Sequence, residues 1–119
     1  MYTREQLEAA LLLITSTIRN CEKTQPKFAE GTSQHTLLKN RIKALYLSRA
    51  LISGDYNSDR YSKEELIDAV PPVSSIINKC KKGQEKFNDG TTNYTRFQRM
   101  IDAMEISKAM ITEELAKMK

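Results

Sequence analysis

Shifted by 59 positions, the chain falls on itself without a gap. Tyr2 meets Tyr61, Glu5 meets Glu64, Leu7 meets Leu66 and Ala10 meets Ala69. Ser16, Ile18, Cys21 and Lys23 meet Ser75, Ile77, Cys80 and Lys82. The densest agreement is in a loop: Gln25, Lys27, Phe28, Gly31 and Thr32 meet Gln84, Lys86, Phe87, Gly90 and Thr91. Thr36, Ile42, Ala44, Ser48, Ala50 and Ile52 then meet Thr95, Ile101, Ala103, Ser107, Ala109 and Ile111. A regular period of this kind marks a repeated structural unit that must be read before anything else. The units are repeat 1 at 2–52 and repeat 2 at 61–115. The polar, turn-rich stretch 53–60 links them inside a single domain spanning 1–119.

Each unit reads as two helices. Thr3-Arg4-Glu5-Gln6 and Ser62-Lys63-Glu64-Glu65 fit the capping box, in which a hydroxyl and a later acid or amide satisfy free backbone N–H groups. Apolar residues follow on one helical face: Leu7, Leu11, Ile14, Ile18 and Cys21, then Leu66, Val70, Val73, Ile77 and Cys80. After the Gly-Thr loop, Leu38, Ile42, Leu45 and Ile52 form the second stripe. Its counterpart is Phe97, Ile101, Met104, Ile111 and Leu115. Pro71-Pro72 replaces Leu12-Leu13 and is expected to break or kink the third helix, because proline lacks a donor and crowds the preceding turn. Phe28 and Phe87 are expected to plug the end of the bundle.

A hairpin of about fifty residues cannot bury its apolar face alone. Two hairpins can do so face to face. The expected fold is therefore all-α, a tandem duplication of a helical hairpin forming a four-helix bundle with pseudo-two-fold symmetry, with the third helix kinked at Pro71-Pro72. Either a monomer or a homodimer extending the same packing is compatible with this pattern.

Composition narrows the function classes. Of 119 residues, 39% are hydrophobic and 29% charged, with four Gly, three Pro and no Trp, a globular composition without loop-rich or β character. No apolar run reaches the roughly 20 residues that span a bilayer. Acidic Glu5 and Glu8 stand where a signal peptide would carry basic residues, so a cytoplasmic location is expected. The net charge of +4 is spread over both halves with the signs interspersed, so a nucleic-acid role ranks last, as weak binding only.

Catalytic patterns are missing. His35 is the sole histidine and meets Tyr94 in the other copy. Cys21 and Cys80 lie on apolar stripes without CxxC spacing and read as core thiols. No GxSxG, HExxH or glycine-rich phosphate motif occurs. The expectation is no enzyme, no cofactor and no metal.

The Gly-Thr loops are the most specific feature. Helix N-termini attract anions through free N–H groups and the helix dipole. In one copy Thr32, Ser33 and Thr36 add hydroxyls, Lys27, Lys39 and Arg41 add charge, and His35 adds a flat ring. In the other, Thr91, Thr92 and Thr95, Lys86, Arg96 and Arg99, and Tyr94 do the same. Read functionally, these residues form two equivalent sites for an anionic ligand. Read structurally, Thr32 and Thr91 are ordinary N-caps and the glycines supply a positive φ. Arg49 and Lys108 are matched cations at the stripe edge, and Tyr2 and Tyr61 suit either a hydrophobic staple or a partner contact. The leading functional expectation is a non-enzymatic binding protein acting on a protein partner, of inhibitor or adaptor type. The alternative is sequestration of an anionic small molecule such as a signalling nucleotide, as phage counter-defence proteins do.

Overall fold

Thr3 opens the first helix. Its side chain accepts the Gln6 N–H, and Gln6 Oε1 in turn accepts the Thr3 N–H, which closes the capping box expected there. Ser62 and Glu65 repeat the arrangement. In the computed structural model, which describes residues 2–118, four helices follow in order. They are α1 (Arg4–Thr24), α2 (Ser33–Ser53), α3 (Lys63–Gln84) and α4 (Thr92–Lys117), with a single 3-10 turn, Gln25–Lys27, after α1. Among the described residues there is no strand. The starts of α1 and α3 lie 59 residues apart, as do those of α2 and α4. Pro71 and Pro72 stand inside α3, which is helical on both sides of them.

The four helices do not contact one another equally. α2 and α4 meet each other and both flanking helices, whereas α1 and α3 stay apart. Each outer helix therefore rests in the notch between α2 and α4. The result is a slab of 43 × 41 × 21 Å, two helix diameters thick.

The core follows from this arrangement. Ile14, Leu45, Leu66, Val73, Met104 and Ile111 are fully buried, and each large side chain contributes roughly 1.5–3 kcal/mol on leaving water. Leu47 and Ile106 are also buried, although both lie off the stripes read from the sequence. A helix with three neighbours buries a wider face than one seam, and these two equivalent positions supply the extra width. Ser48 and Ser107 are completely buried, and their hydroxyls donate to the Ala44 and Ala103 carbonyls one turn back.

The phenylalanines differ from expectation. Phe28 and Phe87 are 36% and 37% exposed, so neither plugs the bundle. They belong to the segments that join α1 to α2 and α3 to α4, and the Phe87 ring stacks on Phe97 with centroids 6.1 Å apart. No helix among the described residues is long and apolar enough to cross a membrane.

Candidate functional site

The two Gly-Thr loops share several hydrogen bonds at positions 59 apart and part at Glu85, whose N–H donates to Lys81 O where Pro26 has no donor. The Phe28 N–H donates to Gln25 O, and that of Phe87 donates to Gln84 O. The Thr32 N–H donates to Ala29 O, and that of Thr91 donates to Asn88 O. Gly31 and Gly90 have φ of 86° and 89°, a left-handed conformation that glycine adopts without steric cost. A Cβ on either would meet nothing within 4 Å, so conformation rather than close packing calls for glycine.

The threonine hydroxyls are already engaged. Thr32 Oγ1 donates to Ala29 O at 2.7 Å and accepts the His35 N–H at 3.2 Å. Thr91 Oγ1 donates to Asn88 O at 2.9 Å and accepts the Tyr94 N–H at 3.2 Å. Each hydroxyl is thus committed inside its own loop: its oxygen accepts as an N-cap does, and its proton goes to a loop carbonyl.

The other residues expected at these sites differ in exposure. Lys27, Ser33, Thr36 and Lys39 are exposed and His35 is half-buried. In the second loop Lys86, Thr92, Thr95, Arg96 and Arg99 are exposed and Tyr94 is half-buried. Two of the cations serve other surroundings. Arg41 Nε and Nη2 are buried and lack an acceptor among the described residues. That guanidinium lies near enough to act on both thiols: burial pushes Cys21 and Cys80 up, and Arg41 pulls both partly back. Both cysteines are free thiols. Arg99 instead lines a groove between α1 and α4.

That α1/α4 groove is the largest concavity described, at about 730 Å³. Tyr2, Ala9, Leu12, Leu13 and Ile106 form its apolar lining, and Gln6, Arg99, Asp102 and Glu105 its polar rim. Leu12 stands at its edge 75% exposed, the most exposed large apolar side chain described. The groove between α2 and α3 uses the equivalent positions, with Tyr61, Glu65, Asp68 and Ala69 facing Asn40, Lys43, Ala44 and Leu47. It encloses only about 90 Å³. One position pattern is therefore held at two widths, and the wide version adds Leu12 and Leu13 where α3 has Pro71 and Pro72.

Two shallower grooves run within the hairpins. One, between α1 and α2, includes Thr15, Tyr46, Arg49 and Ser53. The other, between α3 and α4, includes Ser74, Glu105, Lys108 and Thr112 at the equivalent positions. Arg49 lies 4.7 Å from the Tyr46 ring centre, a cation on an aromatic face. The Tyr46 hydroxyl donates to Glu22 Oε2 at 2.9 Å, and the carboxylate pushes that phenol up. Among the described residues no group of three or more His, Cys, Asp or Glu side chains is placed to hold a metal ion.

The apolar stripes do not announce the α1/α4 groove. Its signal was Leu12 itself, a leucine off the 7-11-14-18-21 stripe whose equivalent is a proline. The chain matches no protein-family model, no curated protein and no solved structure.

Proposed function

We propose that this chain is a non-enzymatic helical binding protein of the cytoplasm that acts by protein–protein contact, as an inhibitor or adaptor does. The α1/α4 groove carries this reading. An exposed apolar surface flanked by polar groups favours a protein contact, because covering it removes apolar area from water while the rim stays solvated. Within this reading the chain is a duplicated hairpin. Repeat 1 at 2–52 and repeat 2 at 61–115 are related by a pseudo-two-fold axis, with α3 bent at Pro71-Pro72.

The test uses a photo-crosslinking amino acid placed at Leu12, with a second at Lys63 as a solvated control. The expected result is one dominant protein adduct from Leu12 and none from Lys63. Equal diffuse labelling from both positions would reject the groove as a binding surface.

A second reading keeps one supporting observation, the hydrogen bonds that both Gly-Thr loops share, at Phe28 and Phe87 and at Thr32 and Thr91. Helix starts leave N–H groups without helical partners, which suits an anionic ligand such as a nucleotide bound once per loop. Calorimetry with candidate nucleotides should then show saturable binding that weakens in a Lys27→Ala, Lys86→Ala double variant. Unchanged affinity in that variant removes those lysines from the site.

A further inference from the structure

We infer that the α1/α4 groove is occupied by a second copy of this chain. The inference rests on the protein-contact reading and names its partner.

Knob and hole lie on one face. Leu12 projects from α1 at the edge of a cavity lined by Ala9, Leu13 and Ile106. A two-fold pairing presents the same patch from both subunits, so a self-complementary patch must carry both halves of every contact. Here each copy offers a leucine to its partner's cavity and a cavity to its partner's leucine.

The rim obeys the same condition. Arg99 and Glu105 are both exposed, and neither forms an ion pair among the described residues. Asp102, between them, accepts from Gln98 Nε2 at 2.9 Å. Arg99 is the rim's one cation beside two carboxylates, and pairing can set Arg99 of each copy against Glu105 of the other while Asp102 keeps its Gln98 contact. A partner of single-sign charge would leave one of the two unmatched.

The surface area points the same way. The chain exposes 7931 Å². A compact monomer of this mass exposes about 6,600 Å². A surplus of that size, spread over the slab, leaves room for the roughly 800 Å² that each partner buries in a standard interface. It arises from the slab shape, in which α1 and α3 each rest on only two other helices. The narrow α2/α3 groove shows the same positions with little space left to fill.

The experiment is sedimentation equilibrium on the full chain and four variants, with far-UV circular dichroism to verify folding. The wild type should show a two-chain mass that dissociates on dilution. Leu12→Asp should weaken association at least about tenfold, since a buried anchor at an interface centre carries that much or more. Ile67→Asp, at an exposed position outside the groove, should leave it unchanged. Arg99→Glu and Glu105→Arg should each dissociate the dimer, and mixing those two variants should restore a two-chain particle. A one-chain mass for the wild type at every concentration overturns the second copy as occupant. So does a dimer that Leu12→Asp leaves intact. If a foreign protein is crosslinked at Leu12 while the chain stays monomeric, the contact surface stands and only its occupant is wrong. If Leu12 crosslinks to nothing, both fall.

Discussion

The ring of Phe97 lies across Gly83, so that a Cβ on that glycine would stand 2.6 Å from Cζ and 2.8 Å from Cε1 of the ring. The residues 59 positions earlier are Thr24 and Leu38, a larger residue where α3 has glycine and a smaller one where α4 has phenylalanine. Gly83→Ala forces the ring aside and should destabilise the protein by about 1 to 2 kcal/mol, despite alanine's better helix propensity. In a Phe97→Leu background the clash is gone, and Gly83→Ala should then stabilise by up to about 1 kcal/mol. Urea unfolding of the four proteins measures this reversal of sign, and parallel losses in both backgrounds would refute it.

Arg41 occupies the position of Met100 in the other half. Its Nε and Nη2 are buried without an acceptor among the described residues, so the desolvation of the charge is not offset there. Arg41→Met should therefore stabilise by about 1 to 3 kcal/mol in denaturant unfolding. Loss of stability would show that the guanidinium earns its place through packing of its stem.

The same substitution has a signature at alkaline pH. Burial raises both thiols, so the folded chain holds their protons more tightly than the unfolded chain does. The corresponding stability is fully present below the ordinary thiol range and declines as pH rises through the raised folded values. Removing Arg41 removes the charge that lowers them. In Arg41→Met the decline should extend to higher pH, and thiol labelling at a fixed pH should slow. Faster labelling would count against the proximity of that charge to the thiols.

Thr32 and Thr91 should behave as equivalent caps. Replacing either with Ala should cost about 1 kcal/mol, and the double variant about twice that, because the two loops share no bond. Serine should restore most of the loss at each position. Thermal melts of the wild type and the five variants provide the comparison, and a negligible effect of Thr32→Ala beside a large one of Thr91→Ala would contradict the equivalence.

Tyr56 stacks on Tyr61 with ring centres 5.5 Å apart, while its hydroxyl is buried without a protein partner among the described residues. Tyr56→Phe keeps the ring and deletes the hydroxyl, so stability should hold or rise by up to about 1 kcal/mol. A clear fall in the unfolding midpoint would reveal a hydrogen bond at that oxygen.

What could be read from the sequence was what local chemistry decides. Thr3, Ser62, Thr32 and Thr91 announce helix starts because a cap needs only its own first turn. Ile14 and Met104 are legible because a stripe at helical spacing must face inward. Leu47 and Ile106 are not, because how many neighbours a helix touches is a tertiary fact. The loops were visible as a pattern, yet the same letters suit a cap or an anion site. Only the bonds of Thr32 and Thr91 show that their hydroxyls are already committed. Leu12 is the one sign of the α1/α4 groove, whose width depends on how far those helices stand apart, which no residue type encodes.

The proline pair in α3 also bears on the timescale of opening. Pro71 and Pro72 remove the two donors that would reach back to the carbonyls of Ile67 and Asp68, both on exposed residues. The turns from Lys63 to Val70 are thus held to the rest of α3 by fewer rungs than the equivalent turns of α1. Amide exchange there should depend more on docking of Leu66 and Ala69 against the core than it does in α1. The first half of α3 is accordingly where the fold should breathe first.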